Sequence, residues 1–155
     1  YRDFPEAQIA AVIELTQDIV ARWSIRPDRV LGHSDVAPNR KDDPGERFPW
    51  RRLAEAGVGL WVPPAPIDAG PVLGPGDLGD DVAAMQQAFA AYGYGIAPTG
   101  VYDALTAQVV IAFQRHFRTE RVDGRADLST IHTLHALLAA KQAIAAEGKA
   151  PARKP

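Results

Sequence analysis

Proline fixes its own φ and has no backbone N–H to donate, so it is excluded from helix interiors and from central strands. Five of the chain's 13 prolines crowd into Pro63-Pro64-Ala65-Pro66-Ile67-Asp68-Ala69-Gly70-Pro71-Val72-Leu73-Gly74-Pro75. No helix or central strand can run through that segment. It reads as a semi-extended interdomain linker. The 155 residues therefore divide into a front part (1–62), the linker (63–75), a back part (76–140) and a tail (141–155).

Composition excludes several classes. With 46% hydrophobic residues, the chain is globular rather than disordered. Its apolar runs fall well short of the about 20 residues a spanning helix needs, so no transmembrane segment is expected. A formal net charge of −2 offers no general basic face for nucleic acid. The absence of cysteine removes disulfide scaffolds, cysteine–zinc fingers and thiol catalysis. The chain opens on Tyr1 without a signal-type apolar stretch, which predicts an excised or incomplete piece whose targeting is not legible.

The front part opens with an amphipathic helix. Ile9, Val12, Ile13, Thr16, Ile19, Val20 and Trp23 recur at spacings of three and four and make one apolar stripe. Asp3 and Glu6 fit the D-x-x-E form of a capping signal, with Pro5 in the first turn. Pro27 stops any continuation, and Arg29-Val30-Leu31-Gly32-His33 then reads as a short strand ending at a histidine. A long polar loop runs from Ser34 to Pro49, and Trp50 to Ala56 reads as one more short helix.

The back part carries three helical stripes. They are Val82, Met85, Phe89, Tyr92; then Leu105, Val109, Ala112, Phe113, Phe117; then Leu128, Ile131, Leu134, Leu138. Two of the connections repeat a signal. Gly100-Val101-Tyr102-Asp103-Ala104-Leu105-Thr106 and Gly124-Arg125-Ala126-Asp127-Leu128-Ser129-Thr130 both read G-x-x-D-x-x-T. The glycine permits the turn, and the aspartate can accept from the open N–H groups of the next helix. A compact three-helix module follows. The tail should extend the last helix briefly and then fray.

The chemistry is concentrated in His33-Ser34-Asp35-Val36-Ala37-Pro38-Asn39-Arg40-Lys41-Asp42-Asp43-Pro44-Gly45. A histidine at a strand end with a carboxylate ten residues on is a plausible pair of zinc ligands. The same residues also suit a solvated loop whose aspartates cap turns beside Pro38 and Pro44. Residue types alone leave both readings open.

The segment from Phe4 to Trp50 resembles the second half of a zinc-dependent N-acetylmuramoyl-L-alanine amidase domain, and most of all the AmiD-type branch. The resemblance lies in Pro5-Glu6-Ala7-Gln8-Ile9, Gly32-His33-Ser34-Asp35-Val36-Ala37-Pro38, Arg40-Lys41-Asp42-Asp43-Pro44-Gly45 and Phe48-Pro49-Trp50. It implies that His33 and Asp43 are zinc ligands. It also implies that Lys41 stands beside the metal and stabilises the oxyanion of the tetrahedral intermediate. The implied reaction is hydrolysis of the amide between N-acetylmuramic acid and the L-alanine of the stem peptide. The family's first histidine ligand and its acidic general base have no counterpart in Tyr1–Gly32. Glu6 and Glu14 read as cap and surface residues. His116, His132 and His135 read as ordinary helix-surface or partly buried histidines. The expected fold class is α/β for the front part, an incomplete piece of a mixed-sheet amidase domain, plus an all-α three-helix module.

The stretch from Leu73 to Leu138 resembles the peptidoglycan-binding module known as PG_binding_1. It does so through Gly76-Asp77-Leu78-Gly79-Asp80-Asp81-Val82, Met85-Gln86, Gly93-Tyr94, Gly100-Val101-Tyr102-Asp103, Thr106, Phe113-Gln114, Asp123-Gly124, Thr130 and Leu134. The resemblance implies glycan or stem peptide as partner, with Tyr94, Gln114 and Arg115 as candidates to line a shallow groove. Together the two halves imply a cell-wall amidase held on its polymer by a binding module. The implied location is extracytoplasmic, in the periplasm or at the outer membrane of a Gram-negative bacterium. A non-catalytic wall-anchoring protein and a helical protein-interaction module are the competing readings.

Overall fold

A computed structural model describes residues 2–147. Six helices follow one another: α1 (Glu6–Trp23), α2 (His33–Val36), α3 (Trp50–Glu55), α4 (Asp80–Tyr92), α5 (Ala104–Phe117) and α6 (Leu128–Glu147). A single 3-10 turn, Pro27–Arg29, lies between α1 and α2. Among the described residues there is no strand and no sheet. Extended pairing is confined to two isolated antiparallel bridges, Leu73 with Ala126 and Leu78 with Val101.

The α/β class expected for the front part is therefore corrected to all-helical. Of the five residues read as a strand, Arg29 ends the 3-10 turn, Val30, Leu31 and Gly32 form an irregular connection, and His33 starts α2. Local forces account for this. Pro27 presets φ, and the Arg26 guanidinium donates to both carboxylate oxygens of Asp28 at 2.9 and 2.8 Å. The Asp35 carboxylate accepts the Gly32 N–H at 2.8 Å and turns the chain into α2. A strand also needs a neighbour for its N–H and C=O groups, and none lies there among the described residues. Gly32 is required by space: a Cβ at this position would stand 2.8 Å from Pro44 Cδ and 3.3 Å from Trp50.

The D-x-x-E signal is corrected too. Helix α1 starts after Pro5 with no side-chain cap. Asp3 instead accepts from Arg47, and Glu6 pairs with Arg52 of α3. These acids tie the helix start to residues more than forty positions away. The stripe of α1 is only half used. Ile9 is buried with Trp50, Leu53 and Val58, whereas Ile19 and Trp23 are exposed.

The back part is the three-helix module that the stripes predict. Val82, Met85, Phe89, Val109, Phe113, Phe117 and Leu134 share one core. Both G-x-x-D-x-x-T turns form alike. Gly100 and Gly124 take positive φ of 74° and 69°. Asp103 Oδ1 accepts from Thr106 N at 2.8 Å, and Asp127 Oδ1 from Thr130 N at 2.8 Å. Behind each turn a buried glutamine closes the loop. Gln86 donates to Val101 O at 2.9 Å and accepts from Gly100 N at 2.9 Å. Gln114 donates to Arg125 O at 2.9 Å and accepts from Asp123 N and Gly124 N, each at 3.0 Å.

Asp103 is a plain helix cap, held below the ordinary aspartate value first by the Thr106 N–H. Its contribution is complete above about pH 4 and is lost as pH falls through the lowered value. Asp103→Ala is expected to lower stability by about 1 kcal/mol, and Asp103→Ser by much less, in urea titrations at neutral pH.

The proline segment is irregular, as composition predicts, yet it is no free spacer. Thr133 of α6 accepts the Ala65 N–H at 3.0 Å, and Ser129 donates to Ala65 O at 2.6 Å. Leu60, Trp61 and Val62 pack against the module core just before it. The fraying assigned to the tail falls mostly on residues 148–155, outside the described residues; Lys141 to Glu147 continue α6.

Candidate functional site

The loop 33–45 is assembled from its first turn outward. Asp35 ties Gly32, Ser34 N donates to Asp43 O at 3.1 Å, and Arg40 and Lys41 both donate their N–H to Ala37 O at 3.0 Å. The Ser34–Asp43 bond brings the two ends of the loop side by side. His33 Nδ1 then lies 2.7 Å from Asp43 Oδ2, and both side chains are exposed. The bond to His33 is the main reason why the Asp43 carboxyl sits below the ordinary aspartate range, and the Lys41 charge adds to it. The carboxylate is thus the form present at neutral pH.

The two residues singled out as zinc ligands therefore meet, with Lys41 nearby. Imidazole nitrogen and carboxylate oxygen are suitable donors for zinc. Catalytic zinc usually takes three protein ligands. Among the described residues no group of three or more His, Cys, Asp or Glu converges. The donor chemistry fits zinc, and the set is partial. His132 and His135 are exposed one turn apart on α6, and no third ligand joins them among the described residues.

The three groove candidates of the back module have other occupations. Gln114 is buried and closes the second turn. Tyr94 is buried, and its hydroxyl donates to Asp35 Oδ1 at 2.8 Å. Burial first, then the Asp35 charge, pushes the Tyr94 hydroxyl well above its ordinary value, so it keeps its proton. Arg115 pairs with Asp42 and reaches Glu46 at 3.9 Å. Two of the three thus face the front part of the chain.

Sequence reasoning missed His116. It is buried, with Nδ1 2.8 Å from Asp35 Oδ2. Its ring lies between Trp50, at 3.7 Å, and Phe117, at 3.8 Å. The available signal was its position on α5, one turn after Phe113 and beside Phe117 in the apolar stripe. Asp35 is buried with it. Burial pushes the Asp35 carboxyl up, but the charge and hydrogen bond of His116, with Gly32 N–H and Tyr94, outweigh that and hold it below the ordinary value.

Two family models match the chain. Residues 1–46 match N-acetylmuramoyl-L-alanine amidase, and residues 79–134 match the peptidoglycan binding domain. The chain is 38% identical over 138 residues to the N-acetylmuramoyl-L-alanine amidase AmiD of Escherichia coli, covering 89% of this chain and 50% of that protein. A solved complex of the E. coli AmiD with the substrate anhydro-N-acetylmuramic acid-L-Ala-D-gamma-Glu-L-Lys superposes with a TM-score of 0.73 over 89% of this chain and 53% of that one. AmpDh3 from Pseudomonas aeruginosa, 33% identical, superposes with a TM-score of 0.71 over 92% of this chain and 56% of that one. The chain spans about half the length of the relatives it matches.

Proposed function

We propose, from the likeness of the chain to the N-acetylmuramoyl-L-alanine amidases and to the peptidoglycan binding domain, that it is part of a peptidoglycan amidase. The reaction is hydrolysis of the amide between N-acetylmuramic acid and the L-alanine of the stem peptide. The observation that carries this reading is the meeting of His33 and Asp43 at 2.7 Å beside Lys41, in the loop 33–45 that lies wholly within the amidase match.

In this reading His33 and Asp43 hold a zinc ion, and Asp43 serves as a charged ligand because its proton is already lost at neutral pH. When bound, zinc acts as a Lewis acid on the scissile carbonyl. Lys41 contributes a fixed positive charge where the carbonyl oxygen gains negative charge. The back module holds the enzyme on glycan and stem peptide. Peptidoglycan lies outside the cytoplasmic membrane, so the site of action is extracytoplasmic. No helix among the described residues is long and apolar enough to cross a membrane.

The test compares two proteins on purified peptidoglycan. The 155-residue chain alone should hold zinc weakly after desalting and release little or no stem peptide. A longer protein that also carries the half of the relatives this chain does not span should hold one zinc and turn over. Tight stoichiometric zinc and turnover by the short chain would sink the partial-site reading. A metal-loaded long form that binds peptidoglycan without cleaving it would favour a wall-anchoring role.

A further inference from the structure

The geometry points to the binding module as a positioning part of the metal site: Tyr94 and His116 hold Asp35, and through it the turn that presents His33. This inference rests on the reading that His33 and Asp43 bind zinc.

The argument starts from Asp35. Its carboxylate is buried, with the residue 8% exposed, and engages three groups. One is its own turn, the Gly32 N–H at 2.8 Å, immediately before His33. The other two come from the module: the Tyr94 hydroxyl at 2.8 Å on Oδ1 and His116 Nδ1 at 2.8 Å on Oδ2. A buried carboxylate is expensive unless it is hydrogen-bonded. The module therefore supplies two of the three bonds that allow Asp35 to sit where it orders the turn.

The partners are themselves held. His116 is stacked between Trp50 of the front part and Phe117 of the module. Tyr94 lies among Phe89, Tyr92 and Phe113 in the module core. The next residue along α5 from the N-terminal side, Arg115, pairs with Asp42. Adjacent side chains of α5 thus grip the loop near both of its ends. Asp35 lies two residues after His33, and Asp42 one residue before Asp43. Each ligand position thus has a module contact within two residues of it, on the side facing the other ligand.

Groups that orient metal ligands without touching the metal commonly change affinity about 10–100-fold when removed. Small displacements at a reacting centre also lower turnover rather than substrate binding. The module should therefore set zinc affinity and kcat in addition to wall binding.

The test uses the full-length zinc enzyme, the positioning variants Tyr94→Phe, His116→Gln and His116→Asn, and the ligand variants His33→Ala and Asp43→Ala. Tyr94→Phe removes one hydroxyl and keeps the ring, so it preserves the core where His116→Gln risks unfolding. Zinc affinity is read by chelator competition, and site geometry by the visible spectrum of the cobalt-substituted protein. The expected result for Tyr94→Phe is a zinc dissociation constant raised about tenfold or more, a shifted cobalt spectrum, and a lower kcat with KM unchanged. Pull-down on insoluble peptidoglycan should be unaffected. His116→Asn, which restores a donor near the Nδ1 position, should recover part of the affinity that His116→Gln loses. Wild-type zinc affinity and cobalt spectrum in Tyr94→Phe would overturn the inference. His33→Ala and Asp43→Ala separate the levels. If they abolish zinc binding while Tyr94→Phe does nothing, only the positioning inference fails. If they leave zinc binding intact, the metal reading fails and takes the inference with it.

Discussion

Replacing Asp127 with alanine should destabilise the back module by about 3–5 kcal/mol, several times the effect of the matching change at Asp103. Both residues cap a helix in the same repeated turn, but only Asp127 has an arginine behind it. Arg118 is fully buried and donates to the two Asp127 oxygens at 3.2 and 3.1 Å and to Thr130 Oγ1 at 2.7 Å. Its Nε and Nη1 already have no hydrogen-bond partner among the described residues. Removing Asp127 leaves a buried guanidinium without its counter-charge. Replacing both partners is a different operation. Asp127→Ala combined with Arg118→Met should recover most of the loss, because apolar packing often matches a buried ion pair in stability. Urea denaturation of the four proteins, Asp103→Ala included, measures the terms. Equal losses at Asp103 and Asp127 would show that Arg118 contributes nothing beyond the cap.

The second large effect is on rate. In the full-length zinc-loaded protein, Lys41→Ala should lower kcat on the order of 10²–10³-fold, the size found when an oxyanion-stabilising donor is lost. Zinc content should not change, because Lys41 is not a proposed ligand. Lys41→Arg keeps the charge and should recover part of the rate. His33→Ala should instead abolish zinc content and activity together. The comparison is stem-peptide release against zinc per chain. A Lys41→Ala enzyme with wild-type kcat would remove the lysine from the chemistry.

Local chemistry was legible in the sequence at the repeated turns and not at Arg26–Asp28 or Gly32–Asp35, whose short-range bonds overturn the strand reading. The two G-x-x-D-x-x-T turns form with matching cap bonds, because glycine, aspartate and threonine meet inside one turn. His33 and Asp43 meet because a single backbone bond, from Ser34 N to Asp43 O, closes the loop between them. Long-range partners were not legible. Asp3 and Glu6 have the spacing of a cap, and the spacing carries no trace of Arg47 and Arg52. Val30 and Leu31 look like strand residues, but a strand is a property of two segments, and the described residues supply no second one. Gln114 and Tyr94 carry the polar groups expected of a sugar groove; only the packed fold shows them turned onto a backbone loop and onto Asp35. His116 needed both halves of the chain in place before its burial could be seen.

The docked proline segment changes what joining two units means. Thirteen freely jointed residues would let the module roam a sphere of roughly 20 Å radius, offering nearby sites in every orientation. Here Ala65 is bonded on both its N–H and C=O to α6, and Asp35 is bonded to the module's own side chains. The pair behaves as a caliper with fixed jaws. In the proposed amidase, a polymer gripped at one jaw would present to the other only what lies at one distance and one angle. Attachment to such a body selects among otherwise equal bonds by their spacing along the strand, which a floppy leash could never do.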